Sequence, residues 1–146
     1  MTNKQYNDFV EKHAKKSPYI LNTIKAFFVG GTISLIGELL RNLYKLTGVD
    51  EEKSYVFASI SLIFLASVLT AIGVFDKIAK FGGGGALVPI TGFSNSVTSP
   101  AIEAKSEGFI TGVAAKMFTI AGPVIVYGTS TSIIYGIIYW IFKKYT

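Results

Sequence analysis

Three stretches of this chain run for more than twenty residues without a charge: Ser54–Phe75, Gly82–Ile102 and Met117–Phe142. A helix needs roughly 20 apolar residues to cross the hydrocarbon core of a bilayer, about 30 Å thick. The pattern therefore predicts a polytopic, all-α integral membrane protein. Composition agrees. Half of the 146 residues are hydrophobic and only 16% are charged, against roughly 25% in an ordinary soluble domain. A soluble chain this short has too little interior to hide so much apolar surface, whereas a bilayer removes the problem.

The charges that remain are placed, not scattered. Lys4, Lys12, Lys15 and Lys16 precede the first apolar segment, and Lys143 and Lys144 follow the last. This is the positive-inside pattern of cytoplasmic flanks. The net charge of +5 is thus read as topology and not as a nucleic-acid surface, because no basic face is interleaved with aromatics. Residues 1–18 read as a cytoplasmic basic arm, and 19–146 as a single transmembrane helical domain. The arm is either a solvated tail or a short interfacial helix with Tyr6, Phe9 and Val10 on one side. No cleavable signal peptide is expected, since no Ala-x-Ala-like site follows the first apolar run.

Segment A, Tyr19 to Tyr44, has a charge-free core of only 12 residues, Ala26–Gly37. Lys25 and Arg41 at its ends can snorkel to the interfaces. Glu38 is too short to do so easily, and its partner is not fixed by spacing. Segment B, Ser54–Phe75, reads as an uninterrupted span with Tyr55 and Phe75 as interfacial aromatics. Segment C, Gly82–Ile102, has five glycines, two prolines and six Ser, Thr or Asn residues. Four successive glycines with Pro89 and Pro100 favour irregular backbone. Such backbone survives at membrane depth only inside protein or beside a water-filled cavity; a long extramembrane loop is the alternative. Segment D, Gly108–Phe142, is interrupted by Lys116, and its 26 uncharged residues from Met117 overrun one span, so a break is expected at Gly122-Pro123. Tyr135, Tyr139 and Trp140 beside Lys143 and Lys144 form an aromatic belt. Gly128, Ser132 and Gly136 form a small-residue stripe suited to close helix packing.

About four passes, with both termini cytoplasmic and loops 45–53 and 103–107 opposite, satisfy every flank. The passes include Gly/Pro-broken segments around 82–102 and 108–123, with re-entrant hairpins there as the alternative. The absence of cysteine excludes disulfides and thiolate chemistry. His13, the one histidine, sits in the polar arm as a solvated residue. GGGG at 82–85 lacks the Lys-Ser/Thr of a phosphate-binding loop. No enzyme, cofactor or metal site is expected.

A permeation path is. Two interrupted segments in a polytopic chain point to a midplane site. The candidates in segment C are Gly84, Gly85, Pro89, Thr91, Gly92, Phe93, Asn95, Ser96 and Pro100, with Glu103 at its edge. Glu103 and Glu107, an i, i+4 pair, are most simply solvated charges. Segment D offers Lys116, Gly122, Pro123 and Tyr127. An intramembrane lysine is a functional candidate by default, with snorkelling as its bland alternative. Aromatics at these positions more often pack than bind. The reading is a channel or transport subunit; a non-conducting scaffold that anchors soluble partners is the competitor.

The block GGALVPITGFSNSVTSPAIEAKSEGFITGVAAKMFTIAGPVIVYG, Gly84 to Gly128, resembles the AC and AE-b membrane subunits of the SpoVA family of endospore-forming bacteria. VPITGF, SPAIE, KSEGF and AKMFTIAGPVIVYG carry the likeness, and the flanking hydrophobic segments share it loosely. The resemblance implies a multi-pass subunit of an oligomeric complex in the spore (forespore) inner membrane. That complex moves dipicolinic acid, with calcium, inward during sporulation and outward during germination. It further implies gating by membrane tension, and partners that include AE-b and the soluble, thiolase-like AD subunit. Lys116 and backbone N–H groups would then receive the carboxylates, and Phe93 or Tyr127 would stack on the pyridine ring.

Overall fold

The computed structural model describes residues 2–13 and 17–145. Lys15 and Lys16 of the expected basic arm lie outside the described residues, as do the side chains of Lys12 and His13. Among the described residues the chain is helical, with no strand. The helices are α1 (Asn3–His13), α2 (Tyr19–Leu46), α3 (Glu51–Ala71), α4 (Phe75–Gly82), α5 (Gly84–Leu87), α6 (Ile90–Glu103) and α7 (Ala115–Tyr145), with a 3-10 turn (Ala104–Glu107) and a π turn (Phe109–Ala114) between the last two. Three stretches are long and apolar enough to cross a membrane: Tyr19–Leu46, Glu51–Ala71 and Phe109–Lys144. The stretch expected as a fourth pass, segment C, is not among them: it forms the short helices α5, of 4 residues, and α6, of 14.

Segment A is α2, whose 28 residues measure about 42 Å at about 1.5 Å each. That length carries both ends beyond the hydrocarbon. A tight turn with Gly48 at φ 87° reverses the chain into α3, whose first turn holds Glu51 and Glu52, acidic residues that suit a helix N-terminus. Arg41 fastens this hairpin. Its Nε reaches Glu38 at 2.9 Å and its Nη1 reaches Glu51 at 3.2 Å, while the guanidinium lies 5.1 Å from the Tyr55 ring centre. Glu38 therefore finds its partner three residues along its own helix.

The packing is that of a membrane protein. The buried apolar side chains are Ala58, Ala66, Ala86, Ala101 and Ala104 with one large residue, Phe75, while leucines, isoleucines and phenylalanines face outward. Small residues let helix backbones approach where no hydrophobic effect draws them together.

Segment B ends as a helix at Ala71, four residues earlier than its charge-free run. Gly73, at φ 72°, turns the chain into α4. Phe75 is 2% exposed, so it is a packing residue and not an interfacial aromatic. Along α4, Phe75, Ile78 and Phe81 share one side and Asp76, Lys77 and Lys80 take the other, the pattern of a helix lying at an interface.

Segment C is more helical than its composition implies. Its interruptions are two short ones. Gly83, at φ 51° and ψ −126°, adopts a conformation only glycine tolerates and separates α4 from α5. Pro89 then caps α6 with extended ψ of 169°. Pro100 sits inside α6, where it forgoes one hydrogen bond without ending the helix. In segment D the irregularity lies at the start. Gly108, at φ 96°, leads into the π turn. The break expected at Gly122-Pro123 is absent, since α7 continues through Pro123. The loss of one backbone bond there is spread over a 31-residue helix.

Candidate functional site

Segment C is wedged among the spans by contacts that only glycine permits. A Cβ on Gly85 would stand 2.0 Å from the Ala26 carbonyl oxygen of α2. One on Gly92 would stand 2.0 Å from the Leu87 carbonyl oxygen. Close backbone contact on both sides of the Val88-Pro89 break holds α5 against α2 and folds α6 back on α5. Thr91, 6% exposed, ties the bend by donating to the Ala86 carbonyl at 3.3 Å.

From this bend α6 lies along α3 through a polar seam. Ser94 Oγ donates to the Ile63 carbonyl at 2.8 Å. Ser67 Oγ stands 2.8 Å from Ser94 Oγ and 3.0 Å from Thr98 Oγ1. Each hydroxyl has one proton, and Ser94 has spent its own on Ile63. Ser67 must then donate to Ser94, and Thr98 to Ser67. The result is a directed chain from Thr98 through Ser67 and Ser94 to the backbone. One turn along, Thr70 Oγ1 lies 2.9 Å from Asn95 Oδ1 and 2.7 Å from the Ala66 carbonyl. No buried side-chain polar atom among the described residues lacks a partner.

Beside the seam opens a cleft of about 600 Å³ in which Asn95, Ser99 and Glu103 of α6 face Thr70, Gly73, Asp76, Lys80 and Leu87. The three α6 residues are spaced i, i+4 and i+8, one face of the helix. Lys80 Nζ holds Asp76 Oδ2 at 2.7 Å. The cleft thus offers two carboxylates, an ammonium, an amide and hydroxyls beside apolar spans.

The structure brings only some of the expected path residues together. Asn95 and Glu103 line the cleft, while Gly85, Pro89, Thr91 and Gly92 shape the bend behind it. Gly84 begins α5 with open space around it. Ser96 turns its hydroxyl to the Phe93 carbonyl at 2.7 Å, and Phe93 is partly exposed. Neither lines the cleft. On α7, Pro123, Tyr127, Gly128 and Ser132 border a shallow open face with Val124, Thr131 and Tyr135. Lys116 is exposed at the start of α7, Gly122 is half-buried, and Gly136 meets open space. Sequence reasoning passed over Ser67, Thr70, Ser94, Thr98, Ser99, Asp76 and Lys80. Ser67 and Thr70, hydroxyls in the second half of a charge-free span that also carries Ser54, Ser59 and Ser61, were the available signal, since polar groups within a membrane helix face protein or water.

Among the described residues α7 packs chiefly on α6 and the π turn, and a Cβ at Gly128 or Gly136 of the small-residue stripe would meet nothing within 4 Å. Ser132→Leu is therefore expected to leave the monomer's thermal unfolding unchanged while weakening assembly, read as a shift toward smaller species in detergent. Unchanged assembly would place the stripe against lipid.

A helical membrane protein whose apolar spans enclose a broken, small-residue segment with a polar cleft is the class this architecture defines. The chain belongs to the SpoVAC/SpoVAEB sporulation membrane protein family, whose model matches residues 22–138. Stage V sporulation protein AC of Bacillus subtilis (strain 168) is 42% identical over 147 residues, covering 99% of this chain and 98% of that protein. The chain is thus a sporulation membrane protein, as the block from Gly84 to Gly128 leads one to expect. No solved structure matches it.

Proposed function

We propose that this chain is a channel or transport subunit through which dipicolinate, accompanied by calcium, crosses the spore inner membrane. Flow is inward during sporulation and outward during germination. The observation that carries this reading is the cleft along α6, where Asn95, Ser99 and Glu103 face Asp76 and Lys80. Unpaired polar groups in hydrocarbon cost several kcal/mol each, so a polar face on a broken helix among spans calls for water or a polar cargo. Dipicolinate is a flat pyridine with two carboxylates. In this reading Lys80, released from Asp76, would meet one carboxylate and Lys116, outside the cleft at the foot of α7, would draw the anion toward it, while Asp76 and Glu103 suit the accompanying calcium as cargo. Partners in this reading are other SpoVA subunits, including AE-b and the soluble AD subunit, and membrane tension opens the path.

The competing scaffold reading draws on α7, whose exposed apolar length suits assembly as well as it suits lipid. Spores carrying Asn95→Leu distinguish the two. Dipicolinate content is expected to fall at least severalfold with protein abundance unchanged, and Lys116→Met to reduce it less. Parental content in both variants, at normal abundance, would remove the cleft from the path and favour the scaffold.

A further inference from the structure

A second groove lies apart from the cleft, between α2 and α3, and α4 closes one end of it. It has a volume of about 440 Å³ and is lined by apolar side chains, among them Phe28, Ile36, Leu65, Leu69, Phe75 and Phe81. Two threonines also border it, and each spends its hydroxyl proton on the backbone, leaving no donor for an occupant. Thr32 Oγ1 donates to the Phe28 carbonyl at 2.8 Å, and Thr91 Oγ1 to the Ala86 carbonyl at 3.3 Å. The groove therefore presents almost entirely hydrocarbon.

Its α4 end is different. Lys25 Nζ sits 5.0 Å above the centre of the Phe81 ring, half-buried, with no carboxylate partner among the described residues. Lys77, on the adjacent turn of α4, is exposed. An apolar slot with a cation at the end nearest an interfacial helix suits a molecule with a hydrocarbon chain and an anionic head. We infer that the groove holds an acyl chain of an anionic phospholipid, whose phosphate rests at Lys25. A helix from a second copy fits poorly. A helix is about 10 Å across, so the volume would hold roughly one turn of it, and an apolar helix would leave Lys25 unanswered.

This inference is independent of what the protein transports. The test uses the full-length protein in nanodiscs made from equal parts of phosphatidylglycerol and phosphatidylcholine. After transfer to detergent, native mass spectrometry counts each lipid retained. The parent is expected to keep phosphatidylglycerol over phosphatidylcholine by about fivefold, the discrimination one lysine near an anionic headgroup provides. Lys25→Gln should bring that ratio close to one while total retention stays near the parental level. Leu65→Trp, on a residue 45% exposed, should fill the slot and lower retention of both lipids with helicity unchanged. Equal retention of the two lipids by the parent, or a ratio unchanged in Lys25→Gln, would overturn the assignment. So would efficient disulfide formation between copies carrying Leu65→Cys, because a second chain would then occupy the groove.

Discussion

Gly85→Ala is expected to disrupt the membrane domain, while Gly84→Ala, one residue earlier, is expected to be tolerated. The Cβ added at residue 85 would lie 2.0 Å from the Ala26 carbonyl oxygen and 2.7 Å from its carbon. These are backbone atoms, and no rotamer change moves them aside. Relief requires α5 to withdraw from α2, and inserting even one methyl group into a tight contact costs about 1–3 kcal/mol, occasionally more. At residue 84 nothing lies within 4 Å, and alanine there gains helix propensity of up to about 1 kcal/mol. Gly92→Ala belongs with residue 85, for its Cβ would meet the Leu87 carbonyl oxygen at 2.0 Å. A bulkier valine at 92 would consequently act on folding before it acted on flux. Thermal unfolding in detergent, with limited proteolysis of the 83–89 region, separates the cases. Equal midpoints for the residue 84 and residue 85 variants would contradict the close packing of α5 on α2.

Ser67→Leu is the second large effect expected. Ser67 is the middle of the hydroxyl chain, so its removal deprives Thr98 of an acceptor and Ser94 of a donor. Interhelical hydrogen bonds in membranes average about 0.6 kcal/mol and reach about 1.7, which bounds Ser67→Ala. Leucine adds bulk between helices that approach through Ala66 and Ser94, both under 5% exposed. Overpacking then contributes about 1–3 kcal/mol more. Ser67→Ala combined with Thr98→Ala should cost less than the sum of the singles, because they share one bond. Strict additivity would show that the chain of hydroxyls does not form.

What could be read from residues alone was what depends on local runs. The absence of charge over 54–75 located α3 to within a few residues. The glycine cluster and Pro89 located the interruption of segment C, because a left-handed φ and a missing N–H are local requirements. The prolines at 100 and 123 misled for the same reason. Local chemistry allows a break at each, but a helix that forgoes one hydrogen bond can continue. The seam was hidden because a serine at 67 and a threonine at 98 have no visible relation until α3 and α6 are packed together. Likewise, Glu38 looked unpartnered until α2 placed Arg41 three residues along its surface. The cleft divides accordingly. Asn95 and Glu103 were legible as polar groups at a broken apolar segment, whereas nothing in the residues just past segment B showed that α4 would bring Asp76 and Lys80 beside α6.

If the broken segment forms a path for a small dicarboxylate, the isolated protein must carry that flux by itself. Purified protein is reconstituted into liposomes loaded with calcium and dipicolinate, and tension is applied to patches and to swollen vesicles. Dipicolinate release is expected to rise with tension and to be lost with Asn95→Leu, while insertion is unchanged. Vesicles bearing correctly inserted protein that stay as tight as protein-free vesicles at every tension would contradict such a path.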